Sequence, residues 1–108
     1  MVTAAEYNDQ VAKAMLEGVL QERVRQLCLL HRWRYYHTHR SQHSPAGFPD
    51  TCAVRGDRLL FAELKRERGK TSPAQDEWLA DLRRIVGVSV YLWRPSDLLS
   101  GRIEAVLR

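Results

Sequence analysis

Pro49-Asp50-Thr51-Cys52-Ala53-Val54-Arg55-Gly56-Asp57-Arg58-Leu59-Leu60-Phe61-Ala62-Glu63-Leu64-Lys65 reads as two strands joined at Gly56-Asp57. A glycine-containing pair between apolar runs signals a two-residue hairpin loop. The loop fixes the register: Arg55 faces Arg58, Val54 faces Leu59, and so on outward until Asp50 faces Glu63. Directly opposed positions hold their Cβ atoms roughly 4.5–5.5 Å apart, and like charges there destabilise a sheet unless positive charge lies between them. A divalent cation would supply it. Strand side chains alternate, so Lys65 shares the face of Glu63 while Leu64 points to the opposite, core side. One face therefore holds two acids and one amine.

The rest of the chain sets the frame around that hairpin. Its 108 residues suffice for one compact domain, residues 1–108, with a single core. The net charge of +4, carried mainly by arginine, favours a polyanionic partner through phosphate contacts and counterion release. The two cysteines are Cys28, in a helical apolar pattern, and Cys52, beside the acids; both are expected reduced and buried. No signal-peptide pattern and no apolar run near the ~20 residues of a membrane span are visible. The expectation is a soluble, intracellular, cytoplasmic protein with no membrane partner.

Thr3 followed by Glu6 fits a capping box opening a helix over 4–31, weakened at Gly18. Within it Leu20, Val24 and Leu27 recur at the helical period. Residues 33–38 predict a first strand, 51–55 and 58–65 the hairpin, with the second of these strands central. Ser72 caps a further helix with Pro73 in its first turn, and Trp78, Leu79, Leu82, Ile85 and Val86 form its apolar face up to Gly87. Val88 to Trp93 predicts a strand buried on both faces, and Pro95 opens a C-terminal helical segment packed through Ile103, Val106 and Leu107. The order is α-β-β-β-α-β-α, an α/β arrangement with a mixed β-sheet flanked by helices.

Pro49-Asp50, twelve intervening residues, then Glu63-Leu64-Lys65 resembles the PD-(D/E)xK signature of the restriction-endonuclease-like nucleases. The segment from Ser44 to Asp50, the Phe61–Lys65 strand, and Ser72-Pro73-Ala74-Gln75 with Trp78 resemble the VRR-NUC branch, particularly its small stand-alone phage versions. The likeness spans roughly Met15 to Asp97. It implies a restriction-endonuclease-like core in which Asp50, Glu63 and the Leu64 carbonyl bind Mg²⁺, with Mn²⁺ able to substitute. Mg²⁺ prefers such hard oxygen ligands and keeps several waters. Lys65 would orient or deprotonate the attacking water and stabilise developing charge.

Two further residues have double readings. At about 100° per residue Glu17 falls on the side of Leu20 and Val24, and inward-facing carboxylates are rarely left unpaired. That makes it a second ligand or water-holder, like the acid the family's first helix contributes, or else a carboxylate reaching solvent or an arginine. Gln75 stands where a side chain reaches back to a helix cap, and the resemblance makes it an active-site residue next to the lysine.

Cations flank the acids on both sides. In the run from His31 to His43, one strand face holds Arg34, Tyr36, Thr38 and Arg40, and Arg40 with Ser41 is expected to touch phosphate. A zinc site of His37, His39, His43 and Cys52 fits none of the usual ligand spacings. Arg66, Arg68 and Lys70 follow the catalytic strand and are assigned to phosphate positioning. Together these features predict a Mg²⁺- or Mn²⁺-dependent endodeoxyribonuclease with no small-molecule cofactor. No sequence-reading module is visible, so recognition by shape is expected. The resemblance implies a homodimer acting on branched DNA, with four-way junctions as the substrate. The competing readings are a non-catalytic nucleic-acid-binding module of the same fold and a nuclease for RNA.

Overall fold

In a computed structural model, which describes residues 1–39 and 42–108, the chain forms helices α1 (Ala4–Ala14) and α2 (Glu17–Leu30), and strands β1 (Arg34–His37), β2 (Thr51–Arg55) and β3 (Arg58–Leu64). These are followed by α3 (Pro73–Arg83), β4 (Val88–Trp93), α4 (Pro95–Leu99) and α5 (Arg102–Leu107). The sheet order is β1-β2-β3-β4, with the first three strands antiparallel and β4 parallel to β3. Arg40 and Ser41, the expected phosphate contacts, lie outside the described residues.

The hairpin has the register the turn dictates, from Arg55↔Arg58 outward to Thr51↔Ala62. Gly56 takes a φ of 61° and Asp57 a negative one, the pattern of a type II′ turn, whose first central position requires glycine-like freedom. The two arginines flanking the turn share an aromatic partner. Their guanidinium carbons lie 4.7 and 4.8 Å from the Trp33 ring centroid. Arg55 also donates to the carbonyls of His31, Leu107 and Arg108, and Arg58 to that of Val106. Those groups are carbonyls at the ends of α2 and α5, where cations are favoured.

One face of the sheet is covered by α2, α4 and α5. Leu20, Val24 and Cys28 from α2 meet Ala53, Leu60, Ala62 and Leu64 from the strands, with Trp33, Trp93, Ile103 and Leu107 completing the core. Arg32 makes the corner from α2 into β1. It adopts φ 64°, and the bonds Trp33 N–H to Cys28 O and Arg32 N–H to Leu29 O form a Schellman ending. The opposite face holds α3 against β4 and an aromatic cluster in which Phe48 meets Phe61 and Trp78 edge to face, at 5.6 and 5.0 Å.

Three expectations are corrected. The N-terminal helix is two helices: Met15 and Leu16 adopt extended backbone (ψ 126° and 151°), so the break precedes Gly18. This lets α1 lie against α4 while α2 lies against the sheet. Ile85 and Val86 are exposed because α3 ends at Arg83, before its apolar stripe reaches them. Finally, β4 is an edge strand, so only Trp93 is fully buried and the other five positions are half-covered.

Candidate functional site

Asp50 sits one residue ahead of β2, next to the Thr51↔Ala62 pair that ends the antiparallel ladder. Its backbone carbonyl is fixed from β1, accepting the Thr38 N–H at 3.1 Å and lying 3.0 Å from His37 Nδ1. Its carboxylate Oδ2 lies 3.4 Å from the Leu64 N–H. The Lys65 N–H bonds to Trp93 O on β4. Main-chain groups alternate sides along a strand, so the Leu64 N–H and C=O point the other way, toward Asp50. The Leu64 side chain is in the core, 1% exposed, as alternation requires.

Glu63 is the unusual residue. It is 1% exposed in a position where a carboxylate is rarely tolerated without partners. Oε1 accepts a 2.9 Å bond from Gln75 Nε2, whereas Oε2 meets no hydrogen-bond partner among the described residues. Burial above all, then the Asp50 carboxyl as a hydrogen-bonding neighbour and as a charge, push the Glu63 carboxyl up to about 8 against the opposing Lys65 ammonium. Two acids faced across a strand end, one of them buried with an orphaned oxygen, call for a proton or a cation between them. Mg²⁺ sites commonly use one or two carboxylates plus waters, and Asp50, Glu63 and the Leu64 carbonyl make such a donor set.

One Gln75 side chain serves the helix cap and also reaches Glu63. Ser72 Oγ accepts from the Gln75 N–H at 3.2 Å, and Gln75 Oε1 accepts from the Ser72 N–H at 2.9 Å, which leaves Nε2 free for Glu63. The cap of α3 thus aims the donor that holds the buried acid. In urea denaturation without metal, Ser72→Ala should cost about 1 kcal/mol for the lost cap. Gln75→Ala should cost more, about 1–3 kcal/mol, because it removes two bonds and strips Glu63 of its partner. Equal losses would mean the Glu63 bond contributes nothing.

The structure does not bring Glu17 into this group. The helix break places it as the first residue of α2, exposed rather than inward-facing. Among the described residues no cluster of three or more His, Cys, Asp or Glu side chains suited to a metal occurs. That excludes from the described structure both a three-carboxylate set with Glu17 and the His37–His39–His43–Cys52 zinc arrangement. Cys28 and Cys52 are unbridged, Cys28 buried as expected and Cys52 only half-buried, and desolvation raises both thiols, Cys28 to about 11.

Arg66, Arg68 and Lys70 are exposed in the turn after β3, and Arg66 and Arg68 share a shallow cleft with Lys13 of α1. The residue that builds this turn escaped the sequence reading. Arg94 Nη1 donates to the carbonyls of Arg66, Glu67 and Gly69, at 2.7, 3.1 and 2.7 Å, and Glu67 accepts from the Ser96 N–H. The one available signal was an arginine directly before Pro95 at the end of a strand parallel to β3.

This mixed sheet, with its acids at the ends of two antiparallel strands and a helix crossing over to a parallel fourth, is a restriction-endonuclease-like fold. The chain has, more specifically, the fold of a VRR_NUC domain. A solved structure described by that name superimposes with a TM-score of 0.65 at 23% identity, over 82% of this chain and 94% of that one. No family model and no curated protein matches the sequence. Among the described residues no helix is long and apolar enough to cross a membrane.

Proposed function

We propose that this protein is a metal-dependent, structure-selective endodeoxyribonuclease that hydrolyses phosphodiester bonds. The observation that supports it most is Glu63, buried to 1% exposure opposite another acid, with one oxygen unpartnered among the described residues. Burying an acid in this way lowers stability, and a binding role accounts for it. In this reading Asp50, Glu63 and the Leu64 carbonyl hold Mg²⁺ or Mn²⁺. When bound, the cation lowers the pKa of water and offsets charge on the reacting phosphate. Gln75 holds the Glu63 carboxylate in place. Lys65, on the same strand face as Glu63, orients the attacking water and stabilises charge that develops on the phosphate. Arg66, Arg68 and Lys70 position the phosphate backbone, and Arg40 and Ser41 are assigned further phosphate contacts.

One protomer offers one such site, so cutting both strands requires two copies. A homodimer acting on branched DNA, with four-way junctions as the favoured substrate, completes this reading. Purified protein should nick or cut branched DNA with Mg²⁺ or Mn²⁺ and stop when EDTA is added. A panel of linear, flap and four-way substrates at fixed salt reads the preference, and light scattering reads the dimer. DNA binding without cleavage at any metal concentration would reduce the protein to a binding module, and metal-dependent cutting of RNA alone would change the polymer.

A further inference from the structure

A cleft of about 640 Å³ opens beside the acids on the α3 face of the sheet, and Asp50 belongs to its lining. Its aromatic walls are Tyr36 from β1, Phe48 from the loop before Asp50, and Trp78 from α3, with the hydroxyl residues Thr38 and Ser44 also lining it. Tyr36 is 62% exposed and Phe48 42% exposed. The core lies on the opposite face of the sheet, so these rings are not needed there, and large aromatic groups left open around one concavity mark a recognition site.

The cleft is formed in advance of any ligand. Phe48 is held edge-on by Phe61 and Trp78 at 5.6 and 5.0 Å. The root of its loop is locked because Gly47, at φ 96°, packs so closely on α3 that a Cβ there would lie 2.5 Å from the Ala74 backbone. The volume is within the ~300–1,000 Å³ of small-ligand sites. Asp50 is part of its lining, so whatever fills it lies next to whatever sits at Asp50.

We propose that the cleft takes an unpaired nucleobase of the polynucleotide whose neighbouring phosphate is held at Asp50 and Glu63. The identity of the polymer rests on the nuclease reading above. A base stacked and paired within a duplex presents only its edges, whereas aromatic walls of this kind bind the face of a base freed from its partner. The cleft therefore selects strands with an unpaired nucleotide next to the scissile bond, as found at a branch point or a single-stranded end. Because every base has a π-face, selection is by pairing state and not by sequence.

Tryptophan fluorescence tests this without turnover. Trp33 and Trp93 are 3% and 2% exposed, which leaves partly exposed Trp78 as the indole a ligand in the cleft reaches. In EDTA, a short oligothymidylate should quench the emission saturably, and an abasic oligonucleotide of equal length should bind at least about fivefold more weakly. Tyr36→Leu, at an exposed position, should weaken oligothymidylate binding about 5- to 100-fold and leave the abasic strand unaffected; Phe48→Leu should do the same. Equal binding of both strands by the unaltered protein, or equal losses on both strands in the variants, would overturn the proposal. Base-dependent quenching in a protein that cuts no DNA with Mn²⁺ would remove the nuclease reading and keep the cleft. Cutting without base-dependent binding would do the reverse.

Discussion

Glu63→Gln will abolish or cripple strand cleavage while making the metal-free protein more stable. Removing residues that merely support a metal ligand typically costs 10–100-fold in affinity or activity, so exchanging Glu63, the proposed ligand itself, should cost at least about a hundredfold in rate. Glutamine keeps the size of the side chain and its acceptor oxygen for Gln75. It also removes the charge that burial and Asp50 disfavour. Opposite movements of activity and stability are expected where a strained group is kept for function. Initial rates on branched DNA, paired with urea denaturation in EDTA, measure both. A variant that cuts as well as the original, or that unfolds at lower urea, would remove Glu63 from the centre of the site.

Stability of the metal-free protein should fall as pH rises from about 4.5 to about 8. Glu63 has an ordinary value of 4.5 when unfolded and about 8 in the fold. Across that window the folded protein holds a proton that the unfolded chain has released, so raising the pH favours unfolding. The loss is complete above the folded value and amounts to a few kcal/mol, on the order of 1.4 kcal/mol per unit of separation at most. Below about 4.5 both states are protonated and the penalty vanishes. Other carboxylates contribute in the opposite sense: Glu22, beside Arg25, and Glu104, beside His31, are held below their usual range. The difference between the original protein and Glu63→Gln isolates the one group. Adding Mg²⁺ at high pH should restore the lost stability, since a ligand that binds only the fold raises its melting temperature. Parallel pH curves for the two proteins would mean that Glu63 does not titrate in this way.

What the sequence disclosed, and what it hid, follows from the range of the forces involved. The hairpin register was legible because a two-residue turn fixes it locally, and the start of α3 because Ser72, Pro73 and Gln75 lie within one turn. That Gln75 serves the cap and Glu63 together was undecidable, since the second bond crosses to another element. The break at Met15-Leu16 was invisible because neither residue is a helix breaker; packing of α1 on α4 accompanies it. That break moved Glu17 from an expected inward position to an exposed one. Arg94 was missed for a similar reason, its three carbonyl partners lying 25 to 28 residues earlier in the chain. The Phe48–Trp78 pairing, which gives the cleft its wall, likewise joins a loop to a distant helix.

The glycine wedged at position 47 limits how this protein could be re-engineered. Loops beside a functional site are ordinarily the first place to randomise when new preferences are sought. Here any side chain at position 47 would both occupy a disfavoured backbone region and collide with the start of α3. The same helix start positions Gln75, so displacing it would disturb the acid pair along with the loop. A mutant library aimed at altered selectivity would therefore hold that residue constant and vary the outer rim at 44 and 45, where the lining can change without uncoupling the two.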